Sequence, residues 1–359
     1  MDGQVARRGK EFADVLEKFV CVRVPQVNSL DLATFQFDFG LTWSVFFLNA
    51  DRTLYGRYGT RSALNKPDDV TDAGFRKAAL AALELHRGYP ANKASLLGKT
   101  GPSPAAKLPR EFPTLARYPA TVDPRAGEWN NATCVHCHDV HAAQLADSRA
   151  AGKPVPLDLL WPFPMPDALG LRLDPEERAS VRSVASGSAA EKAGFKAGDE
   201  LLRLEGQPLV SIADVQWVLH HARDGASLAA VVKRGAREET LSLPLPAGWR
   251  RGGDTSWRMA TSVFFRPDLQ AAPVSAEDRK ALGLTPDAIA LRISRLGTAL
   301  EHAGFRVDDV IVGVGERRSG IDSLSQILEH VGLNTRPGEK LPIVVRRDGK
   351  ELRLEIPLP

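Results

Sequence analysis

The sequence is poor in cysteine and in long apolar runs, and each scarcity excludes a class of protein. Only 3 cysteines occur among 359 residues, so a framework of disulfides does not organise the chain. Apolar stretches such as residues 45–48 have the length of a β-strand and are too short to cross a membrane. Residues 1–8 lack the apolar region of a signal peptide, so we expect that a leader is not present in this chain.

The net charge of the chain is small as well. The net charge is only +3 and no run of Lys or Arg occurs, so we predict no nucleic-acid partner. A content of 43% hydrophobic and 25% charged residues is ordinary for a globular protein. The length predicts two or three domains.

One short motif carries a specific chemistry. Residues 134–138 read Cys-x-x-Cys-His, a spacing typical of covalent haem attachment. Cys134 and Cys137 would form thioethers with the haem, and His138 would be the proximal iron ligand. We therefore predict one covalent haem c. Two alternatives stay open: a dithiol pair, or a zinc ion completed by a nearby histidine, which is His136, His138 or His141.

A haem iron needs a second axial ligand or an open position. Met165 is the first candidate, because a thioether ligand would raise the reduction potential. Met165 could instead pack at the entry of the following domain. His86 and His136 remain candidates, whereas His141 lies three residues after His138, on the same side of the iron.

The first 90 residues predict a mixed α/β region. Periodicity and β-branched runs predict its elements, which are a helix at 10–18, strands at 19–24, 41–48 and 53–59, and a helix at 68–87. Cys21 is expected to be a small buried side chain. This order resembles the C-terminal half of a thioredoxin-like fold. It departs from that family because its Cys-x-x-Cys is absent and Leu41 stands where the family has a cis-proline.

Residues 88–160 are rich in Pro, Ala and Lys and show little periodicity before Trp129. A short helix is predicted after the Cys-x-x-Cys-His motif, at residues 139–151.

The second half of the chain repeats itself. Three segments recur in one order, 110 to 113 positions later, which indicates two copies of one domain. The pairs are residues 193–201 with 303–311, 169–171 with 282–284, and 232–235 with 345–349.

Each copy resembles a PDZ domain of the bacterial, protease-associated HtrA type. Residues 188–199 match the turn of that family, and a strand at 200–204 and a helix at 212–221 are expected after it. In the second copy Asp308 replaces the glycine that precedes the aspartate of this turn, and an Asp tolerates a positive φ better than most residues.

A PDZ domain binds an extended peptide as an added strand, so the resemblance implies a carboxylate-binding loop and an apolar helix face in each copy. In the first copy these residues are Leu169, Gly170, Leu171, Val215, Val218 and Leu219. In the second copy they are Leu282, Gly283, Leu284, Leu324, Ile327 and Leu328. The alternative is that these are plain core positions beside a closed groove.

The resemblance to protease-associated domains raises the question of catalysis. No Gly-x-Ser-x-Gly or Gly-x-Ser-Gly-Gly segment occurs, so the sequence disfavours a hydrolase and leaves open whether the protein is an enzyme. The whole chain is similar to a group of bacterial exported proteins that combine a thioredoxin-like part, a Cys-x-x-Cys-His segment and tandem PDZ domains.

These observations predict a multidomain fold, α/β and then β-rich. The expected parts are a partial thioredoxin-like domain (1–90), a haem-carrying segment (91–160), a first PDZ domain (161–248), a linker (249–275) and a second PDZ domain (276–359). We predict an extracytoplasmic haem protein, periplasmic or secreted, for electron transfer or redox sensing. Its PDZ domains would dock peptide C-termini or extended segments, and a redox partner is possible. The alternative is a non-catalytic peptide-binding scaffold with a structural zinc.

Overall fold

A computed structural model describes residues 12–63, 67–123, 133–252, 257–258 and 269–358. The chain forms two compact units. The first unit comprises residues 1–137 and 161–254, and the second comprises residues 138–160 and 255–359. This grouping differs from the expected order of parts, because the helix that follows the Cys-x-x-Cys-His motif belongs with the second repeat.

Most of the described helices are short, and four of them have ten residues or more. In chain order they are α1 (Ala13–Leu16), α2 (Asp72–Arg87), α3 (Lys93–Leu96), α4 (Cys137–Ala150), α5 (Leu157–Leu160), α6 (Ala189–Lys192), α7 (Ile212–His221), α8 (Ala276–Ala281), α9 (Thr298–His302) and α10 (Leu324–Asn334). None of these described helices combines the length and apolarity that crossing a bilayer requires.

All described strand pairs are antiparallel. The strands are β1 (Val45–Leu48), β2 (Leu54–Tyr58), β3 (Leu171–Leu173), β4 (Val181–Val184), β5 (Glu200–Leu204), β6 (Gln207–Pro208), β7 (Ser227–Arg234), β8 (Arg237–Pro244), β9 (Gln270–Pro273), β10 (Leu291–Arg295), β11 (Val310–Val314), β12 (Lys340–Arg347) and β13 (Lys350–Pro357).

The N-terminal part of the first unit is a hairpin packed against a helix. Strands β1 and β2 pair through a turn in which Arg52 has a φ of 66°. The hydroxyl of Thr71 accepts a hydrogen bond from the amide of Gly74 and so caps α2. Buried alanines of α2 pack against Phe47, Tyr55 and other aromatic side chains of the hairpin. These residues form a small separate core.

Two expectations for this region are wrong. Residues 19–24 form no strand, since Val20 is 95% exposed and Val22 is 80% exposed. Cys21 is likewise exposed rather than buried. A β-branched run forms a strand only where a neighbouring edge pairs with it, and residues 19–24 pair with no strand in the described part of the chain. Among residues 12–63 and 67–90, the sheet is the antiparallel pair β1–β2, and a thioredoxin-like arrangement is not seen there.

The first repeat has two sheets around one apolar core. Strands β3 and β4 form one sheet, and the other has the order β6-β5-β7-β8. Helix α7 closes the core with Val215, Val218 and Leu219. The expected strand at 200–204 and helix at 212–221 are confirmed at those positions.

The second repeat has a single five-stranded sheet of order β13-β12-β11-β10-β9. Its end strand β9 lies in the segment that was expected to be a linker. Helix α4 belongs to the same unit, and its Leu145 joins the core of the repeat.

Each repeat contains an equivalent ion pair between an arginine and a buried aspartate, which supports the common origin of the repeats. Arg234 donates to Asp199 over 2.7 Å, and Arg347 donates to Asp309 over 2.7 Å. Each guanidinium also donates to the carbonyl of the equivalent glycine. Asp308 has a φ of 71°, so it adopts the positive φ of the glycine that it replaces.

Candidate peptide-binding site

The Cys-x-x-Cys-His motif lies where the two units divide. Cys134 is buried and Cys137 is half-buried at the start of α4. The segment before α4 is held by Asn28, which accepts from the Val135 amide over 2.8 Å and donates to the Thr133 carbonyl over 2.8 Å. The unit boundary falls between Cys137 and His138.

The cofactor prediction is not tested by these observations. His136, His138 and Asp139 carry side chains that could hold a metal ion. The haem at Cys134, Cys137 and His138, and the alternative zinc ion, stay predictions. A haem stain and a metal analysis of the exported protein would decide between them.

The other candidate ligands have partners of their own. The thioether of Met165 lies 3.3 Å from the Thr60 hydroxyl oxygen and packs against the core of the first repeat. His86 Nδ1 lies 2.8 Å from the Tyr55 hydroxyl. His141 Nε2 lies 2.9 Å from the Leu159 carbonyl.

The first repeat presents one strand edge beside a helix. The Gly170 carbonyl and the Asp174 amide form hydrogen bonds of 2.8 and 2.9 Å toward the β4 side. Since main-chain groups alternate in direction along an antiparallel ladder, those of Leu171 and Leu173 face the other way. Strand β3 thus has the edge onto which a peptide could be added. The predicted loop residues Leu169 to Leu171 lie at the entry to this edge, and their role in binding a carboxylate stays a prediction.

Helix α7 flanks this edge but is buried from Ile212 to Leu219. Val215, Val218 and Leu219 face the core. Ile212, Gln216 and Leu219 follow one another at steps of four and three residues, so they lie on one face of the helix. Ile212 lines the same small cleft as Pro175, which comes just after β3. Neither Gln216 nor Thr60 was singled out from the sequence, since neither belongs to a motif.

The N-terminal hairpin covers the outer face of α7 with a charged cluster. Asp214 accepts from Lys99 Nζ over 2.9 Å, and Arg57 Nη1 lies 4.0 Å from the same carboxylate. Arg57 also lies 3.7 Å above the Trp217 ring. All four side chains are at most 2% exposed.

This cluster contains two cations and one anion out of water. Burial lowers the pKa of Lys99 below its ordinary value, although Asp214 opposes this shift. Burial also lowers the pKa of Arg57 to about 10. Both pKa values are lowered because taking a cation out of water is costly, and the single carboxylate of Asp214 compensates that cost only in part.

The loop that leads into β3 carries another perturbed carboxyl group. Burial raises the pKa of Asp167, and the nearby carboxylate of Asp69 raises it further. Asp69 belongs to the N-terminal part, so that part extends over the loop as well as over α7.

The second repeat also has an end strand beside a helix, but at a different place from the one expected. Leu282, Gly283 and Leu284 follow the end of α8, where Leu282 is the C-cap. The end strand that pairs with β10 is β9. Since β9 comes before residues 282–284 in the chain, these residues do not lead into it. Helix α8 lies between β9 and β10, so residues 282–284 stand after β9 and before β10.

The β9 edge can be worked out in the same way. The Val274 amide donates to a carbonyl on the β10 side over 3.0 Å, and Ala272 pairs with Arg292. The main chains of Ala271 and Pro273 therefore face away from β10. Proline has no N–H to offer, so only Ala271 presents both a donor and an acceptor.

Helix α10 packs beside β9. Its Ile327 is buried, whereas Leu324 and Leu328 are only half-buried and pack at the margin of the core. Leu324, Leu328 and Val331 have the same spacing as Ile212, Gln216 and Leu219. In the described part of the chain, this second groove therefore keeps apolar surface at its helix side.

Comparison with known proteins identifies the class. Residues 167–245, the first repeat, match the family model of the PDZ domain. The chain therefore contains a PDZ domain.

Particular relatives are periplasmic proteases. The periplasmic pH-dependent serine endoprotease DegQ of Escherichia coli (strain K12) is 28% identical over 163 residues, which are 45% of this chain and 32% of that protein. The periplasmic serine endoprotease DegP of the same strain is 25% identical over 180 residues, 48% of this chain and 35% of that protein. The chain thus spans about a third of the length of these relatives.

Solved structures of HtrA-type proteases match more weakly. The protease AlgW with a tripeptide is 18% identical, with a TM-score of 0.24 over 35% of this chain and 42% of that chain. The protease AlgW with a decapeptide is 17% identical, with a TM-score of 0.23 over 43% of this chain and 44% of that chain. TM-scores this low do not support any statement about how the domains of this chain are arranged.

The relatives correct the predicted function. Electron transfer or redox sensing by a haem protein is wrong as the function, and so is the non-catalytic scaffold with zinc, because the relatives are serine endoproteases. The expectation that the chain is not a hydrolase loses its support for the same reason. No redox partner is indicated. The periplasmic relatives do support the predicted extracytoplasmic location.

Proposed function

We propose that this chain recognises extended peptides in periplasmic proteolysis of the HtrA type. The observation that carries the proposal is the end strand β9 with helix α10 beside it, in a chain whose first repeat matches the PDZ family. A strand edge supplies hydrogen bonds to any peptide main chain, and the adjacent helix supplies selection among side chains.

The chemistry of the groove defines the peptide class. Leu324 and Leu328 offer apolar surface to peptide side chains that point toward α10. Ala271 offers an amide and a carbonyl to the peptide main chain, while Pro273 ends the ladder after its carbonyl. The groove therefore suits a short extended segment with apolar side chains at alternate positions.

The test measures binding of fluorescein-labelled peptides of ten residues by fluorescence anisotropy, using the whole chain. The peptides end in an apolar residue with a free carboxylate. Leu328→Gln replaces an apolar contact with an amide and should weaken binding about tenfold, the effect of losing roughly 1.4 kcal/mol of apolar burial. The matched control is Glu316→Gln, at a side chain that is 93% exposed.

Two results would refute the proposal. One is that no peptide of the set binds the unaltered chain at any concentration up to a millimolar. The other is that Leu328→Gln and Glu316→Gln have the same affinity as the unaltered chain.

A second candidate function is serine endoprotease activity, which the names of the relatives favour. The whole chain is incubated with an unfolded protein substrate and, separately, with a fluorophosphonate probe that labels activated serines. Cleavage together with one labelled serine would support catalysis by this chain. Binding without labelling would leave peptide recognition as its contribution.

A further inference from the structure

The two repeats present different residues at the same place in their grooves. Ser211 caps α7 and Ser323 caps α10, each by accepting a hydrogen bond from a first-turn amide. Five residues after each cap stand Gln216 and Leu328. Leu328 is half-buried, whereas Gln216 is only 4% exposed.

Gln216 is buried because other parts of its own unit lie against it. Its Oε1 accepts from the Thr60 hydroxyl over 2.6 Å, and its Nε2 donates to the Phe163 carbonyl over 2.8 Å. The Thr60 hydroxyl has one proton, which the shorter contact gives to Gln216, and the thioether of Met165 lies 3.3 Å from the same hydroxyl oxygen. The middle of the groove is thus already occupied by side chains that satisfy its polar groups.

The far end of the groove is occupied by the same part of the chain. The Thr71 hydroxyl donates to the Pro175 carbonyl, just after β3, over 3.0 Å. Tyr58, Gly59 and Thr60 line a small cleft together with Ile212 and Pro175. The free volume in this cleft is about 10 Å³, which is room for one water molecule at most.

The segment that enters the groove is held from behind. The Ser211 hydroxyl donates to the Arg57 carbonyl over 2.5 Å, and the Arg57 amide donates to Asp214 Oδ1 over 3.2 Å. A side chain on Gly56 would lie 2.2 Å from Val210, so the main chain approaches α7 as closely as glycine allows. These contacts fix β2 at the start of the helix.

We propose that residues 58–60 and Thr71 are an internal plug that closes the peptide groove of the first repeat. Peptide binding at the first repeat then requires release of the plug, and the groove of the second repeat binds first. The order in which the two grooves bind peptide rests on the proposed peptide recognition. The plug itself is defined by contacts within the first unit.

The first experiment needs no peptide. Amide hydrogen exchange of the whole chain is compared with that of Thr60→Val, which keeps the shape of the side chain but removes the hydroxyl. Exchange of residues 58–62 and of residues 168–173 should rise together, by roughly tenfold, because one opening exposes both. Thr240→Val, at an exposed threonine of the same unit, should change neither.

The second experiment uses the ten-residue peptide with a benzoylphenylalanine at its last apolar position. Photo-crosslinks of the unaltered chain should map to β9 and α10, and Thr60→Val should add crosslinks at β3 and α7. Equal crosslinking of both grooves in the unaltered chain would overturn the plug. So would rapid exchange of residues 168–173 before any substitution.

The two experiments also separate the proposals. If no peptide crosslinks anywhere, the proposed recognition fails, while the coupled exchange of the two segments still decides whether the plug is closed.

Discussion

The charged cluster behind the plug has one carboxylate for two cations, and this imbalance predicts an unequal response to substitution. Asp214→Asn would leave the ammonium of Lys99 and the guanidinium of Arg57 buried without an anion. Removing one partner of a buried ion pair costs about 3–5 kcal/mol, and for a unit of this size that lowers the Tm by roughly 10 °C. Lys99→Met instead removes the surplus cation and leaves the Arg57–Asp214 pair in balance, so it should cost less than about 2 kcal/mol.

The assay is urea unfolding of the whole chain, with amide exchange of residues 54–58 and 212–221 to assign the loss to the first unit. Because the chain has two units, a single transition cannot be assumed. Each variant is compared with the double variant Lys99→Met/Asp214→Asn, which removes one charge of each sign. The reasoning fails if Lys99→Met is as destabilising as Asp214→Asn, or if Asp214→Asn changes the stability by less than 1 kcal/mol.

The same cluster predicts the sign of a pH effect. Burial lowers the pKa of Lys99 in the folded state, so between that lowered pKa and the ordinary value of 10.5 the unfolded chain binds more protons. The free energy of unfolding of the first unit should therefore rise as pH increases through this window. Lys99→Met should lose that increase, and a fall in its place would contradict the assignment.

Three further predictions concern single positions. Gly170 has a φ of 79°, and an added Cβ would lie 2.2 Å from Ser188, so Gly170→Ala should lower the Tm more than Gly187→Ala, where the φ is 74° and the space is open. Burial raises the pKa of Asp199, but its arginine partner outweighs this and lowers the pKa overall. Its stabilisation is therefore present above pH 3.8 and lost as acid passes the lowered pKa, which an acid titration of Asp199→Asn against the unaltered chain checks. Burial lowers the pKa of His330, so the second unit should lose stability below pH 6.5, and His330→Gln should remove that loss when unfolding is compared at pH 7.5 and 5.5.

The elements of the first repeat were predicted well because a contiguous stretch of sequence specifies each of them. The turn at residues 188–199, the strand β5 and the helix α7 lie where the resemblance to the PDZ family implied. Residues 19–24 show the opposite case, because strand propensity without a partner edge produced no strand. The position of β9 was missed since its four residues, Gln-Ala-Ala-Pro, carry no β-branched side chain and owe their pairing to the edge of β10.

The occupied groove could not be predicted for a different reason. It depends on contacts between residues more than 100 positions apart, such as Thr60 with Met165 and with Gln216. No periodicity or motif connects such positions. The one available sign was chemical, since a glutamine occupied a place where the second repeat has a leucine.

The difference between Gln216 and Leu328 has a physical reason. A buried amide is stable only when its donor and acceptor both have partners, and Gln216 obtains them from the Thr60 hydroxyl and the Phe163 carbonyl. If the plug left, the amide would face the apolar side chain of a peptide or would have to be hydrated, and the first groove would be a poor site for the peptides that suit Leu328. Gln216→Leu should therefore weaken the closed state and give the first groove the preference of the second. Crosslinking at β3 by the same apolar peptide, without any change at β9, is the expected result. If Gln216→Leu leaves the crosslinks at β3 as they are in the unaltered chain, the amide does not control access and the plug is held by the charged cluster alone.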